Sequence, residues 1–464
     1  MKASYGIHWF RRDLRITGNL ALHKNWKLNS GRVLGVFCID SKILARHDFS
    51  HNRFAFFLKT LHELQSEFRQ KGGELLVVDD LPENVFKNIL ESESLPSQIS
   101  FNRDYEPFAR ERDKKMTALF DAKGIAWSSE RDHLVFEPHE VLKDDGSFYR
   151  VFTPYSKRWF EKLHAPEIKN RLAAAKLEID SFSAAPKLPF KDSLRAIEKL
   201  NQEKVSIPIP EAGHAAAMKQ LKIFKKKLPD YQINRDFPFL SGTSGLSIFL
   251  KNGSLTTAQI INELGLGREL SQYLKEIIWR EFYYSILFHQ PAVETGAFQE
   301  KYNALKWRAD KKDFAVWCQG LTGFPIVDAG MRQLNSTGWM HNRVRMIVAS
   351  FLTKDLLIHW RLGENYFMKR LLDGDLAPNN GGWQWAASTG CDPQPYFRIF
   401  NPWLQGAKFD PDAEYIKKYV PELRDISAKE IHKPDGVRGK NYPEPMVNHT
   451  LQSREAMALF KKLS

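Results

Sequence analysis

YGIHWF, Tyr5–Phe10, is a short apolar run that stops at a charged block, RRDLR, Arg11–Arg15. Alternate residues of a pleated strand face opposite sides. A run that is apolar on both sides therefore belongs inside a helix-covered parallel sheet. Similar runs occur at Arg32–Asp40, Glu74–Val78 and Gln98–Asn102, and Ile125–Ser128 is a fifth candidate. Helical patterns fill the gaps at about Asn52–Lys71, Pro82–Glu91 and Phe108–Lys123. This alternation predicts a doubly wound parallel α/β domain over residues 1–130. The turn after the first strand holds Phe10-Arg11-Arg12-Asp13 rather than G-x-G-x-x-G. A conventional dinucleotide site is not expected there, although a small ligand at the strand C-termini is compatible with the pattern.

Outward from that domain the pattern changes. Residues 131–205 are polar, weakly periodic and punctuated by Pro166, Pro186 and Pro189. They are expected to be a connector of short helices lying across the surface. From 206 to 464 the reading is helical. Tyr273, Ile277, Phe282 and Ile286 recur at helical spacing within Ser271–His289, and Met331–Arg361 is a long helical region broken near Gly338. Eight of the twelve tryptophans fall in this half.

The 464 residues predict two or three domains. A net charge of +13 points to a polyanionic partner. Nucleic acid ranks ahead of a membrane, because no stretch approaches the ~20 apolar residues of a spanning helix. Even Met346–Trp360 is broken by Lys354 and Asp355. Cys38, Cys318 and Cys391 are scattered, without disulfide or metal spacing, which suits a reducing cytosol. Arg11, Arg12 and Asp13 interrupt the N-terminal apolar run, so no secretory leader is expected.

Four segments carry chemistry. GTSGLS, Gly242–Ser247, can offer N–H groups and hydroxyls to phosphate, but a plain helix-capping turn uses the same residues and is the favoured reading on that segment alone. Glu276, Trp279 and Arg280 share a helix face, where an indole can stack on a base and a carboxylate can accept from a base N–H. In GWMHNRVRM, Gly338–Met346, Asn342, Arg345 and Met346 share one face beside Trp339, Arg343 points elsewhere, and His341 reads as structural. DGDLAPNNGGWQWAAS, Asp373–Ser388, joins two acids, two adjacent amides, a glycine pair and two tryptophans, which indicates redox chemistry on a bound aromatic cofactor. Asp373 and Asp375 lack His or Cys partners and are read as hydrogen-bond acceptors or as partners of Arg345, with no metal site. Trp383 and Trp385, two apart, must point differently. Tyr396, Phe397, Arg398 and Gln405 form an aromatic and basic set suited to nucleic acid. No nucleophile–base pair, Walker loop or zinc motif stands out, so hydrolysis and phosphoryl transfer lack support.

HWFRRDLR (His8–Arg15), RDFP followed by GTSGLS (Arg235–Ser247), IIWREFY (Ile277–Tyr283), GFPIVDAGMRQL (Gly323–Leu334), GWMHNRVRM and DGDLAPNNGGWQWAAS together resemble the photolyase/cryptochrome family nearly end to end. The pattern is most similar to class I cyclobutane pyrimidine dimer photolyases. The resemblance implies an N-terminal α/β domain, a C-terminal helical domain holding U-shaped FAD, and light-driven dimer repair in DNA by electron transfer from excited reduced FAD. A cryptochrome-like blue-light photoreceptor is the alternative. By the same resemblance Tyr231, Thr243, Ser244, Gly245, Leu246, Ser247, Tyr273, Trp339, Arg345, Asp373, Gly374 and Asp375 would surround FAD, with Asn379 at its N5. Trp383, Trp360 and Trp307 would relay electrons to it. Glu276, Trp279, Asn342, Met346 and Trp385 would line the lesion pocket, Glu276 stabilising the reacting thymine. Arg235, Arg280, Tyr283, Arg343, Arg398 and Gln405 would contact DNA.

Asn342 and Met346 stand where (6-4) photolyases have histidines, which favours cyclobutane dimers. Gly245 departs from the basic or Ala residue often found in the phosphate loop, and Tyr273 from a frequent Trp. YEPFARERD, Tyr105–Asp113, lacks the Asn-Glu pair of folate-binding members and looks closer to deazaflavin-binding ones. The antenna chromophore is left open among deazaflavin, folate, another flavin, or none. A monomeric, cytoplasmic protein is expected.

Overall fold

The computed structural model describes residues 4–267 and 270–463. Strands β1 (Gly6–Phe10), β2 (Val33–Cys38), β3 (Glu74–Val78), β4 (Gln98–Asn102) and β5 (Ala126–Glu130) form a parallel sheet in the order β3-β2-β1-β4-β5. This is the doubly wound arrangement that the short apolar runs predict. Strand parity sorts the core. Ile7, Trp9, Leu34, Val36, Leu76 and Val78 enter one buried cluster, whereas Phe10, Val33, Phe37, Leu75 and Val77 enter another. The crossover helices His51–Gln70, Pro82–Leu90 and Pro107–Ala122 lie within a residue or so of the expected spans.

Strand order reverses between β1 and β4, where folds of this type place ligands. Here that position is filled. The Arg11 guanidinium lies 4.7 Å from both the Trp9 and Phe101 ring centroids, and its Nη1 is 2.6 Å from Asp113 Oδ1. A side chain occupies the space that a glycine turn would leave for phosphate. Beneath it, His8 Nδ1 lies 2.9 Å from Ser100 Oγ and His8 Nε2 lies 3.1 Å from Asp13 Oδ2. The set has hydrolase chemistry that the sequence did not reveal, but His8 and Ser100 are wholly buried. With no substrate access, it serves as a polar clamp joining β1, β4 and the Arg11–Arg15 turn.

Contact density divides the chain into two compact units. The first comprises residues up to Tyr149, Thr153–Lys226 and Ser244–Phe288, and the second comprises Arg150–Phe152, Lys227–Thr243 and His289 onward. Short helices do occur in the connector, at Phe152–Leu163, Pro166–Ala174 and Leu194–Gln202. The first is not superficial, contrary to expectation. Its Tyr155 and Trp159 are buried, and Trp159 Nε1 donates to Glu281 Oε2 at 2.7 Å. Glu281 also accepts from the Val135 N–H at 2.6 Å and the Phe136 N–H at 3.3 Å, tying the connector to the helix Leu270–His289.

The second unit is helical. Pro325–Thr337 ends at Gly338, whose φ of 67° is left-handed, the break expected from sequence. Asn342–Ser350, Trp360–Arg370, Leu376–Ala386 and Pro402–Phe409 follow, and His449–Lys461 comes last. Trp317, Trp360 and Trp383 share their largest core with aliphatic residues of these helices. Gly363 lets two helices meet, since a Cβ there would fall 2.1 Å from Trp383 Cη2. Among the described residues, no helix is long and apolar enough to cross a membrane.

Candidate functional site

In the first unit, Leu270–His289 carries Tyr273, Glu276, Trp279, Arg280 and Tyr283. The buried Tyr273 hydroxyl donates to Ser244 Oγ at 3.1 Å, and burial pushes this phenol above its ordinary range, so it stays a donor. Ser244 Oγ also accepts from the Leu246 N–H at 3.3 Å, while Gln220 Nε2 donates to Ser244 O at 2.7 Å. Gly245 has a φ of 65°, so this departure from the family pattern is backbone-driven. The capping-turn reading of GTSGLS needs correction. The helix Ser247–Asn252 has Leu246 at its N-cap with no side-chain hydrogen bond, because the hydroxyls flank the cap position instead of occupying it.

Trp279 is half-buried and lies 5.5 Å from the Tyr283 ring at 35°. Arg280 on the same helix is half-buried. Its Nη1 donates to His133 O at 3.0 Å, and its guanidinium lies 5.0 Å from the Tyr284 ring.

In the second unit, the buried His341 N-caps Asn342–Ser350, its Nδ1 accepting from the Arg343 N–H at 3.1 Å. Burial pushes His341 down to about 4, keeping the ring neutral and able to accept. Helical spacing then sends the side chains apart. Arg345 Nη2 pairs with Asp373 at 2.8 and 3.1 Å, Arg343 Nη2 pairs with Asp236 at 2.7 Å, and the exposed Asn342 lies beside Met346. Trp339 is half-buried next to His341, and the Arg235 guanidinium lies 5.6 Å from the buried Tyr231 ring.

Asp373, Gly374 and Asp375 are buried and lead into the helix Leu376–Ala386, with Asp375 at its N-cap. Asn379 Nδ2 donates to Glu364 O at 3.1 Å, which fixes the amide and leaves Oδ1 without a donor among the described residues. Asn380 faces elsewhere and anchors the helix, donating to Val293 O and Glu364 Oε1. The sequence pattern weighs the two amides alike, yet the shared helix face of Asn380 and Gln384 is the available signal, and Gln384 donates to Asn380 Oδ1 at 3.0 Å.

Trp383 and Trp385 diverge as expected. Trp383 is 2% exposed, while the half-buried Trp385 faces Phe400 at 6.4 Å. Trp360 is 1% exposed and Trp307 is half-buried, so two of the three indoles lie in the core and the third is partly open to solvent. His359 sits between two of them, 5.7 Å from Trp360 and 5.5 Å from Trp307, a neighbour for which the sequence carried no signal. Phe397 and Arg398 are exposed, with Gln405 half-buried.

Flavin fits these residues. A fixed amide with an open carbonyl oxygen, beside a carboxylate held by arginine, suits a planar ring that presents N–H groups.

Known proteins agree. Residues 6–174 match the family model for DNA photolyase, and residues 273–462 match the model for the FAD binding domain of DNA photolyase. A deoxyribodipyrimidine photo-lyase of Vibrio cholerae is 40% identical, covering 98% of both chains. The crystal structure of a class III photolyase from Agrobacterium tumefaciens superposes with a TM-score of 0.88 at 34% identity, covering 100% of this chain and 98% of that one. An archaeal photolyase from Sulfolobus tokodaii, solved with two FAD molecules, gives 0.84 at 31% identity over 98% and 99%. The chain belongs to the DNA photolyase family.

Proposed function

We infer that this protein is a deoxyribodipyrimidine photo-lyase, which repairs cyclobutane pyrimidine dimers in DNA under light. The observation that carries the reading is the helix Leu376–Ala386. It directs Asn379, with an open acceptor, and Trp383 inward while Trp385 faces outward. When bound, reduced FAD would supply the light-driven one-electron chemistry that dimer splitting requires.

The chain's residues do the rest. Asn379 Oδ1 would accept from a flavin N–H and so favour the reduced ring. Arg345, held by Asp373, places positive charge near that ring. Tyr231, Thr243, Ser244, Gly245, Leu246, Ser247 and Tyr273 hold the remainder of FAD, with Trp339, Gly374 and Asp375. Photolyases are among the enzymes that swing their target nucleotide out of the duplex, and extrusion of a poorly stacked dimer costs less than extrusion of a normal base. Trp279 and Trp385 receive the flipped pair, Glu276 hydrogen-bonds a thymine, and Asn342 and Met346 complete the pocket. Arg235, Arg343, Arg398, Gln405 and Tyr283 grip the strand. Arg280, steadied by its bond to His133 O, adds its charge to that grip. Trp307, Trp360 and Trp383 re-reduce oxidised cofactor.

A second, light-gathering chromophore is part of the proposal, with deazaflavin, folate and flavin as its candidates; mass spectrometry of extracted pigment identifies it. Three free cysteines support a cytoplasmic setting, and the protein is taken to act as a monomer. The test is repair of a dimer-containing oligonucleotide by chemically reduced protein, with and without blue light. Splitting is expected only in light. Dimers left intact under illumination would instead fit a photoreceptor, or a lesion binder if dark affinity persists.

A further inference from the structure

Lys354 and Asp355 both turn into the core, at 2% and 0% exposure. They sit on a π-helical turn, Phe351–Asp355, that continues Asn342–Ser350. Such turns are rare and are enriched at functional positions. The two side chains do not pair with each other, and the final helix, His449–Lys461, meets each separately. His449 Nδ1 lies 2.5 Å from Asp355 Oδ1, and Lys354 Nζ lies 3.5 Å from the Phe460 ring centroid. Lys354 Nζ also donates to Ser388 Oγ at 2.9 Å and to Ala387 O at 3.3 Å. No carboxylate among the described residues lies within ion-pair distance of it. The same Phe460 ring stands edge-on to Trp307, with centroids 6.1 Å apart and planes at 82°. A single ring therefore separates a buried amine from the most exposed of the three indoles. Packing alone gives no reason for a cation here, since a methionine would fill the space without the desolvation cost.

We propose that Lys354 governs where the electron hole rests in the tryptophan relay, its ammonium raising the energy of oxidised Trp307 and shortening that radical's life. This rests on the relay assigned under the proposed function. In the step concerned, Trp307 gives one electron to oxidised Trp360. Trp360 becomes neutral, Trp307 carries the hole, and a thiol reductant in solution later refills it with one electron. With the ammonium present, the hole spends more time on Trp360, deeper in the protein, where the departed electron returns sooner.

The titratable groups facing this spot separate by pH. Burial pushes Asp355 up to about 6 and lowers His359, so both have titrated by pH 7. His449 is held against Asp355, and the phenols of Tyr302 and Tyr396 flank Phe460. Burial holds Lys354 well below an ordinary lysine.

The test is flash photolysis of the FAD-loaded protein with oxidised flavin, reading the decay of the tryptophan radical. Lys354→Met and Lys354→Gln are expected to lengthen its life roughly tenfold at pH 7, and Lys354→Arg to keep it short. In the unsubstituted protein the lifetime should lengthen as rising pH removes the ammonium, toward that of Lys354→Gln. Should Lys354→Met not fold, Lys354→Gln, which can still donate to Ser388, and the pH series carry the test. Lifetimes within twofold of the original in the uncharged variants, with the radical abolished in Trp307→Phe, would overturn the proposal and leave the relay intact. A radical that survives Trp307→Phe would overturn the relay itself.

Discussion

Replacing Glu281 with glutamine sets two opposing effects against each other. The carboxyl is 1% exposed and faces three N–H donors, from Val135, Phe136 and Trp159. Burial disfavours the charge, and the three hydrogen bonds favour it. Burial wins, pushing Glu281 up to about 7 from its ordinary 4.5. A carboxyl raised on folding binds its proton more readily in the folded state. Its contribution to stability is therefore complete below about pH 4.5 and is lost as pH rises through about 7. That span corresponds to about 3 kcal/mol. Glutamine is neutral throughout, but its amide nitrogen donates and so leaves at least one of the three N–H groups without an acceptor, at a cost of about 1–3 kcal/mol. Glu281→Gln should therefore start below the original protein at pH 4.5 and gain about 2–3 kcal/mol on it by pH 8. Urea unfolding followed by circular dichroism at several pH values measures this change. A stability difference that stays constant from pH 4.5 to pH 8 would refute the reasoning, because it would mean that the three bonds outweigh desolvation. Glu281→Leu serves as the control. It orphans all three donors, each worth about 1–3 kcal/mol, and should lose stability at every pH.

Gly363→Ala forces the Trp383 indole aside and should cost about 1–3 kcal/mol, seen as a lowered urea midpoint, with an unchanged midpoint pointing to slack between the two helices. Arg345→Met strips Asp373 of its cation and should weaken FAD retention at least tenfold in fluorescence titration; undiminished retention would remove Arg345 from the cofactor's surroundings. Glu276→Ala should lower the yield of light-driven repair more than it lowers dimer affinity, and an equal loss in both would make Glu276 a binding residue only. Dimer binding should weaken with log salt at a slope near −4 to −5 if about five phosphates are engaged, whereas a flat response would remove the basic surface from recognition.

Much of this was legible in the chain because it is local. Apolar runs marked β1 to β4 to within about two residues, since a strand buried on both faces leaves no other pattern. Spacing alone separated Arg343 from Arg345 and Trp383 from Trp385. The contacts that escaped notice join residues far apart. Glu281 reaches the connector at Val135, and His8 reaches Ser100, so neither pairing leaves a mark at short range. Connector burial was missed for the same reason: Tyr155 and Trp159 sit among charged neighbours whose side chains reach solvent while the rings turn inward. His359 shows the limit plainly, because it precedes Trp360 in the chain but only the fold brings it against Trp307.

Leu376–Ala386 has a consequence for how such a molecule can change. One short rod carries an amide, an indole sunk in the core and another at the margin, gripped at its far side by Asn380 and Gln384. Twisting or sliding that rod displaces all three cargoes together, like cams on a common shaft. Variants that retune one of them must do so by swapping side chains in place, and drift in the backbone here will be purged whichever task is under selection.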